Sequence, residues 1–284
     1  MFKKQVSGSI VCRSCRRLVG VNDPECFNCG AKNPGLWGYA PILQKLGHDL
    51  GFVNFVSALC VIFYLLSLAV DPTNIGMEGM MNMLSPSIQG LFLLGASGAV
   101  PVFQYGRWWT FLSAAFLHGG LLHIGLNLYW IRQLGPLAAD VYGPGRMVIV
   151  YTAGSVVGFA ASTMAGVLFG QAFLIGGGLF TVGASAPIFG LLGALVYSGR
   201  RGGSSEIGRQ AQSLALVLFL LGFVIPNVDN WAHAGGFVGG YLAGQFLDPA
   251  SEERLNHLVG ALVCLGLTLL SILWSVLTGF RYIQ

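Results

Sequence analysis

Long apolar runs broken by short polar stretches recur along most of this chain. Runs near the roughly 20 residues that a helix needs to cross a bilayer fall near residues 51–70, 112–131, 146–168, 184–199, 211–227, 231–247 and 257–280. The fourth and sixth are short. Seven spans would leave the two chain ends on opposite sides of a membrane. Residues 1–50 contain no such run and read as a polar module with its own cysteine pattern.

Composition agrees. The 284 residues are 54% hydrophobic and only 9% charged, against about 25% charged in an ordinary soluble domain. Too little polar surface exists for a soluble fold, and a polytopic membrane protein is expected. The 42 glycines suit helices that pack closely in lipid.

The net charge of +4 gains meaning once placed along the chain. Lys3, Lys4, Arg13, Arg16, Arg17, Lys32, Lys45, Arg132, Arg146, Arg200, Arg201, Arg209 and Arg254 fall on the amino-terminal side of the seven-span arrangement, and only Arg107 and Arg281 on the other. Thirteen against two predicts a cytoplasmic amino terminus and an external carboxyl terminus. The first 50 residues also lack the apolar core of a cleavable signal peptide. A multi-pass protein of a bacterial inner or plasma membrane is expected.

The polar module carries "CRSCRRLVGVNDPECFNCGAKNPG", with Cys12, Cys15, Cys26 and Cys29 as two C-x-x-C pairs. Four thiolates so spaced close a tetrahedral site with no position left for substrate, which points to one structural zinc in a ribbon of two knuckles. Iron in a rubredoxin-like site is the competing metal. Disulfides do not suit the cytoplasmic side. Gly30, after the last cysteine, sits where a knuckle often needs a positive φ. Cys60 and Cys264 lie inside spans and read as small packing residues. Trp37 and Tyr39, in the segment after the ribbon, suit a membrane interface. The arginines Arg13, Arg16 and Arg17 make too small a patch to argue for nucleic acid and serve equally as contacts to anionic lipid.

Polar side chains inside spans are costly and mark function by default. The second run holds "FLHGGLLHIGLNLYW", with His118, His123 and Asn127. His123 and Asn127 are four apart, so they share a helix face, whereas His118 is rotated away and reads as a loop holder. The fourth run holds Ser185 among Gly183, Ala184 and Ala186, and the sixth opens with "NWAHAGGFVGGYLAG", carrying His233. Gly236, Gly240 and Gly244 continue from His233 as a stripe, with Gly235 and Gly239 on the adjoining row. Such a stripe admits another helix to near backbone contact. If that helix is the Ser185 span, with Gly190 and Gly193 on it, His233 can reach the serine and activate it as a nucleophile. His123, Asn127 and the Ser185 amide are then candidate donors to the oxyanion. Asp229, beside Asn227 and Asn230, reads as a loop cap rather than a third member of the set.

These residues resemble the rhomboid family of intramembrane serine proteases. The likeness lies in H-x-x-x-x-H-x-x-x-N at His118, His123 and Asn127, G-x-S at Gly183 to Ser185, and A-H-x-x-G-x-x-x-G from Ala232 to Gly240. The resemblance implies an all-α, six-helix core with a Ser185–His233 dyad, an oxyanion hole of His123, Asn127 and the Ser185 amide, and structural roles nearby for His118, Gly183, Gly236 and Gly240. It implies cleavage of single-span membrane proteins near the outer face, with no catalytic cofactor. The division is then 1–34 ribbon, 35–50 linker, 51–250 rhomboid-like core and 251–284 connection plus seventh helix. Residues 71–108 would be a long first loop lying partly in the outer leaflet. The serine is followed by Ala186 and Pro187 where the family often has glycine, and a common Trp-Arg pair reads Trp109-Thr110, with Arg107 upstream as a substitute. The alternatives are an inactive relative that binds membrane helices as an adaptor and a small-molecule transporter; the latter lacks the inverted repeat such proteins show.

Overall fold

The computed structural model describes residues 4–12, 15, 17–40, 47–80, 82–170, 172, 175–279 and 281. Lys3, Arg13, Arg16 and Lys45, four of the cations used to orient the chain, lie outside the described residues.

The amino-terminal module is a two-stranded antiparallel ribbon, β1 (Ser9–Val11) on β2 (Leu18–Gly20), with Ile10 opposite Val19. Alternation turns Ile10 and Val19 inward with Cys12, Val21 and Cys26, and leaves Val11 and Leu18 exposed. Each cysteine pair sits in a tight turn: the Cys12 N–H donates to the Arg17 carbonyl and the Cys26 N–H to the Ala31 carbonyl. Gly30 has φ 72°, the left-handed value its place in the second turn suggested.

The membrane body consists of α1 (Phe52–Val70), α2 (Ile88–Leu94), α3 (Thr110–Ser113), α4 (Leu121–Tyr142), α5 (Pro144–Phe169), α6 (Ser185–Arg200), α7 (Ser205–Leu221), α8 (Asn230–Phe246) and α9 (Leu255–Gly279). By length and composition α1, α5 and α9 can each cross a bilayer, and α3 with α4 forms a pair bent by 98°. Helices α1 and α4 to α8 form the six-helix core, and α9 is the seventh helix.

Two expected spans need correction. The second helix runs over Leu121–Tyr142, not 112–131. Gly119 and Gly120 break the apolar run, and the segment before them folds as α3 plus a 3-10 turn, Ala114–Phe116. The fifth helix runs over Ser205–Leu221, not 211–227. Its polar first turn is stabilised by the Ser204 cap on the Ile207 N–H and by Glu206 with Arg209 and Gln210. It stops at Gly222, ahead of Pro226 and Asn227.

At the centre stands α6, buried along most of its length. Its 16 residues rise about 24 Å, short of the roughly 30 Å hydrocarbon core. A helix this short cannot reach both membrane surfaces, and Ser185 stands at one of its two ends. The glycine stripe packs as expected. A Cβ on Gly236 would stand 2.1 Å from the Ala186 carbonyl oxygen, and one on Gly240 would stand 1.9 Å from that of Gly190. Gly235 and Gly239 face α5, where added Cβ atoms would meet Ala161 at 2.6 Å and Val157 at 2.7 Å.

The first loop is tied to the seventh helix. Arg107 is fully buried; its guanidinium lies over the Phe92 ring and donates to the carbonyls of Phe92, of Leu93 and, at 2.9 Å, of Ser275. The Trp109 indole donates to Ser275 Oγ at 3.0 Å, and Ser271 Oγ donates to the Trp109 carbonyl at 2.6 Å. Arg107 thus anchors the apolar helix α2 of this loop. Cys60 is buried and Cys264 half-buried, both within helices.

Candidate active site

The amino-terminal ends of α4, α6 and α8 meet at one end of the bundle and carry the polar residues singled out above: His123 and Asn127 on α4, Ser185 on α6 and His233 on α8. Ser185 is the first residue of α6 and half-buried. Its N–H, at the start of a helix, has no intrahelical acceptor. Pro187 falls in the first turn, where a missing N–H costs nothing.

Gly183 precedes the serine with φ 132°, a conformation suited to glycine. A Cβ there would stand 2.7 Å from His123 Nε2 and 3.7 Å from Ser185 Oγ. The glycine therefore makes room for the imidazole to lie beside the serine. His123 Nδ1 accepts a hydrogen bond from the Gly119 N–H at 3.2 Å. A backbone amide can only donate, so the proton of the neutral ring resides on Nε2, the nitrogen facing Gly183. His123 is accordingly a hydrogen-bond donor into the site.

Asn127 is buried one turn further along, and its Nδ2 donates to the His123 carbonyl at 2.9 Å. The amide has a second N–H for the site. His118 precedes α4 and is completely buried; its ring lies edge-on to that of His123 at 5.1 Å. Its ring packs against that of His123, and among the described residues neither ring nitrogen has a hydrogen-bond partner.

His233, in the first turn of α8, is buried and stacks flat on Phe189 of α6, with ring centroids 4.2 Å apart and planes at 10°. Phe189 is one turn beyond Ser185 on the same face. Among the described residues His233 Nδ1 is sealed from solvent and has no hydrogen-bond partner, so Nε2 is the nitrogen left to face the site. Ser185 and His233 are not within hydrogen-bonding distance here, as is common between nucleophile and base without substrate. The ring plane is set by stacking, and Asp229 does not orient it: its carboxylate accepts from the Ala232 N–H at 2.9 Å, capping α8.

Ala186 does not intrude on this arrangement. It is buried, and its methyl lies 2.8 Å from where a Cβ on Gly158 would stand, so glycine on α5 accommodates it. Phe189 and Gly158 escaped the sequence reading, although Phe189 is detectable as the i+4 neighbour of Ser185.

Residues 105–250 match the family model of the Rhomboid domain. The chain belongs to the rhomboid family. Over 166 residues it is 30% identical to Rhomboid protease GluP of Bacillus subtilis, a match covering 57% of this chain and 31% of that protein. It is 29% identical over 170 residues to RHOMBOID-like protein 7 of Arabidopsis thaliana, covering 58% and 51%. Inactive RHOMBOID-like protein 8 of the same plant is 28% identical over 162 residues, covering 55% and 43%. The chain thus spans about a third to a half of the length of these curated relatives.

This rhomboid also has the four-cysteine cluster. The sulfurs of Cys12, Cys15, Cys26 and Cys29 lie within 4.8 Å of one another. Cys12 to Cys29 is 3.8 Å and Cys15 to Cys26 is 3.7 Å. Tetrahedral zinc with bonds of about 2.3 Å places its sulfurs about 3.8 Å apart, so the residues fit a metal. A backbone hydrogen bond from Arg17 draws the Cys15 thiol down. Against one from Ala31, desolvation and the neighbouring cysteines push that of Cys29 up, as expected when four thiols share one site.

Proposed function

We propose that this rhomboid is an intramembrane serine endopeptidase that cuts transmembrane segments of other membrane proteins. The observation that supports the reading is that the helix starts carrying Ser185, His123 with Asn127, and His233 come together around the first turns of α6. Ser185 Oγ attacks the scissile carbonyl carbon while His233 Nε2 takes its proton. The negative charge that develops on the carbonyl oxygen is met by the Ser185 N–H, His123 Nε2–H and Asn127 Nδ2–H. His233 then gives the proton to the leaving amine, and water releases the acyl group by the same steps.

The helical backbone of a substrate hides its carbonyls in its own hydrogen bonds, so the cleaved segment must unwind. Single-span proteins with glycine, proline or polar residues near the cut end are the favoured substrates. A fluorophosphonate serine probe tests the reading: wild type should be labelled and Ser185→Ala should not. A wild type that neither labels nor cleaves would favour the inactive adaptor.

The distribution of Lys and Arg supports an external location for the Ser185 end, with the amino terminus in the cytoplasm. Reporter fusions after Lys45 and Arg201 should read cytoplasmic and one after Gln284 external; an external signal at Lys45 would invert the arrangement.

The cysteine module supports one structural zinc per chain. The metal closes the ribbon and takes no part in proteolysis. Removing residues 1–34 should abolish bound zinc, measured by elemental analysis, and leave cleavage of a reporter helix largely intact. Iron in the purified protein, or loss of activity in a still-folded membrane body, would contradict this assignment.

A further inference from the structure

We propose that Asp229 and Ser162 are positioning residues that hold the histidine helix in register with the serine; the inference rests on the protease reading above. Ser185 and His233 belong to helices entered from different loops, and their separation depends on how those entries are fixed as well as on the packing of the two helices along the glycine stripe. The loop leading to Ser185 pairs with the first loop: Ser97 and Thr181 exchange backbone hydrogen bonds at 3.1 and 2.8 Å, and the Ala99 N–H donates to the Gly178 carbonyl at 2.9 Å. Further along, the Gly183 N–H donates to the Ala114 carbonyl at 3.0 Å.

Asp229 joins that loop to α8. One carboxylate oxygen accepts from the Ala232 N–H, the cap already described. The other accepts a hydrogen bond from Ser162 Oγ on α5, and the same hydroxyl accepts from the Gly178 N–H at 3.2 Å. The Asp229 carbonyl in turn accepts from the His233 N–H at 3.1 Å. A continuous chain of bonds therefore runs from the backbone of His233, through Asp229 and Ser162, to the segment that delivers Ser185. Ser162 is fully buried, so the link is shielded from competing water. Gly178 must be glycine for this contact, since a Cβ there would stand 2.6 Å from Ser162 Oγ and 2.9 Å from Asp229 Oδ2.

An ordinary cap needs only one carboxylate oxygen, and asparagine caps about as well as aspartate. The second oxygen is what ties three segments together. Loss of that link shifts the start of α8, and displacements of about 1 Å at a reacting pair can cost on the order of a hundredfold in rate.

The test uses the full-length protein in lipid with a cleavable reporter helix. Ser162→Ala removes the hydroxyl and keeps the cap; Asp229→Asn keeps the cap and replaces the accepting oxygen with a donor. Each should lower kcat roughly ten- to a hundredfold with KM nearly unchanged. Fluorophosphonate labelling should reach the wild-type endpoint at a correspondingly reduced rate. The double variant should be no slower than the worse single one, because both cut the same chain. Labelling that loses endpoint but not rate would mean fewer folded molecules and would overturn the positioning role. So would wild-type kcat in Ser162→Ala, the variant in which the hydroxyl can neither donate nor accept. A wild type without labelling or cleavage would overturn the protease reading and this inference with it, whereas wild-type behaviour in the variants of an active enzyme overturns this inference alone.

Discussion

Ser185→Ala is expected to abolish cleavage while leaving the fold intact, since the change removes one oxygen from a half-buried side chain. His233→Ala should be as severe, because its Nε2 is the proposed proton acceptor, whereas His123, the other imidazole near the serine, carries its proton on the nitrogen facing the site. The double variant should be scarcely worse than either, as nucleophile and base act as a unit. The donors behave differently. Asn127→Ala removes one proposed oxyanion contact, typically worth about 10²–10³ in rate, and should leave measurable turnover. His123→Ala should cost more than a lost donor, because Gly183, Gly119 and His118 are all arranged around that ring. Rates on a reporter helix, read beside thermal unfolding of each variant, check the whole series. Wild-type cleavage by Ser185→Ala would remove the serine from the mechanism.

The polar residues of the site were legible because each interrupts an apolar run, where an unpaired polar group is expensive. Ser185, His123, Asn127 and His233 needed no tertiary information to be noticed, and the glycine spacing after His233 indicated which helix comes close. Helix boundaries were harder to read. Hydropathy continues through Phe116 and Leu117, so it cannot register that the chain turns by 98° before α4 begins. In the fifth helix a charged first turn, stabilised by its own side chains, extends the helix beyond its apolar part.

Contacts between distant segments left no trace in the sequence. The spacing places Phe189 on the face of Ser185, but its stacking on His233 is visible only in the fold, and Ser162 and Asp229 are 67 positions apart. Arg107 could be named as a substitute for an arginine expected nearby, yet its bond to Ser275 on the seventh helix appears only in three dimensions.

Gly240→Ala is expected to lower both stability and activity, and Gly266→Ala to change neither. Both glycines lie within apolar helices, and composition does not distinguish them. A Cβ at Gly240 would stand 1.9 Å from the Gly190 carbonyl oxygen and 2.4 Å from its Cα, so α6 and α8 would have to move apart. The obstruction is backbone rather than a flexible side chain, and no rotamer change can relieve it. Overpacking of this kind typically costs about 1–3 kcal/mol, occasionally more, and the rigid contact places this site toward the upper end. Nothing lies within 4 Å of a Cβ at Gly266, and alanine is the better helix former by about 1 kcal/mol, so that variant should be neutral or slightly stabilised. Activity should fall in Gly240→Ala even at temperatures where the protein stays folded. Gly240 stands two turns from His233 on the face turned toward α6, so spreading the helices there tilts the imidazole away from Ser185. Thermal unfolding in detergent, together with reporter cleavage well below the transition, separates the two effects. Equal unfolding temperatures for Gly240→Ala and Gly266→Ala would show that the α6–α8 contact is looser than backbone against backbone. Wild-type cleavage by a destabilised Gly240→Ala would show that the separation of Ser185 and His233 is set at the entries to the helices rather than along the stripe.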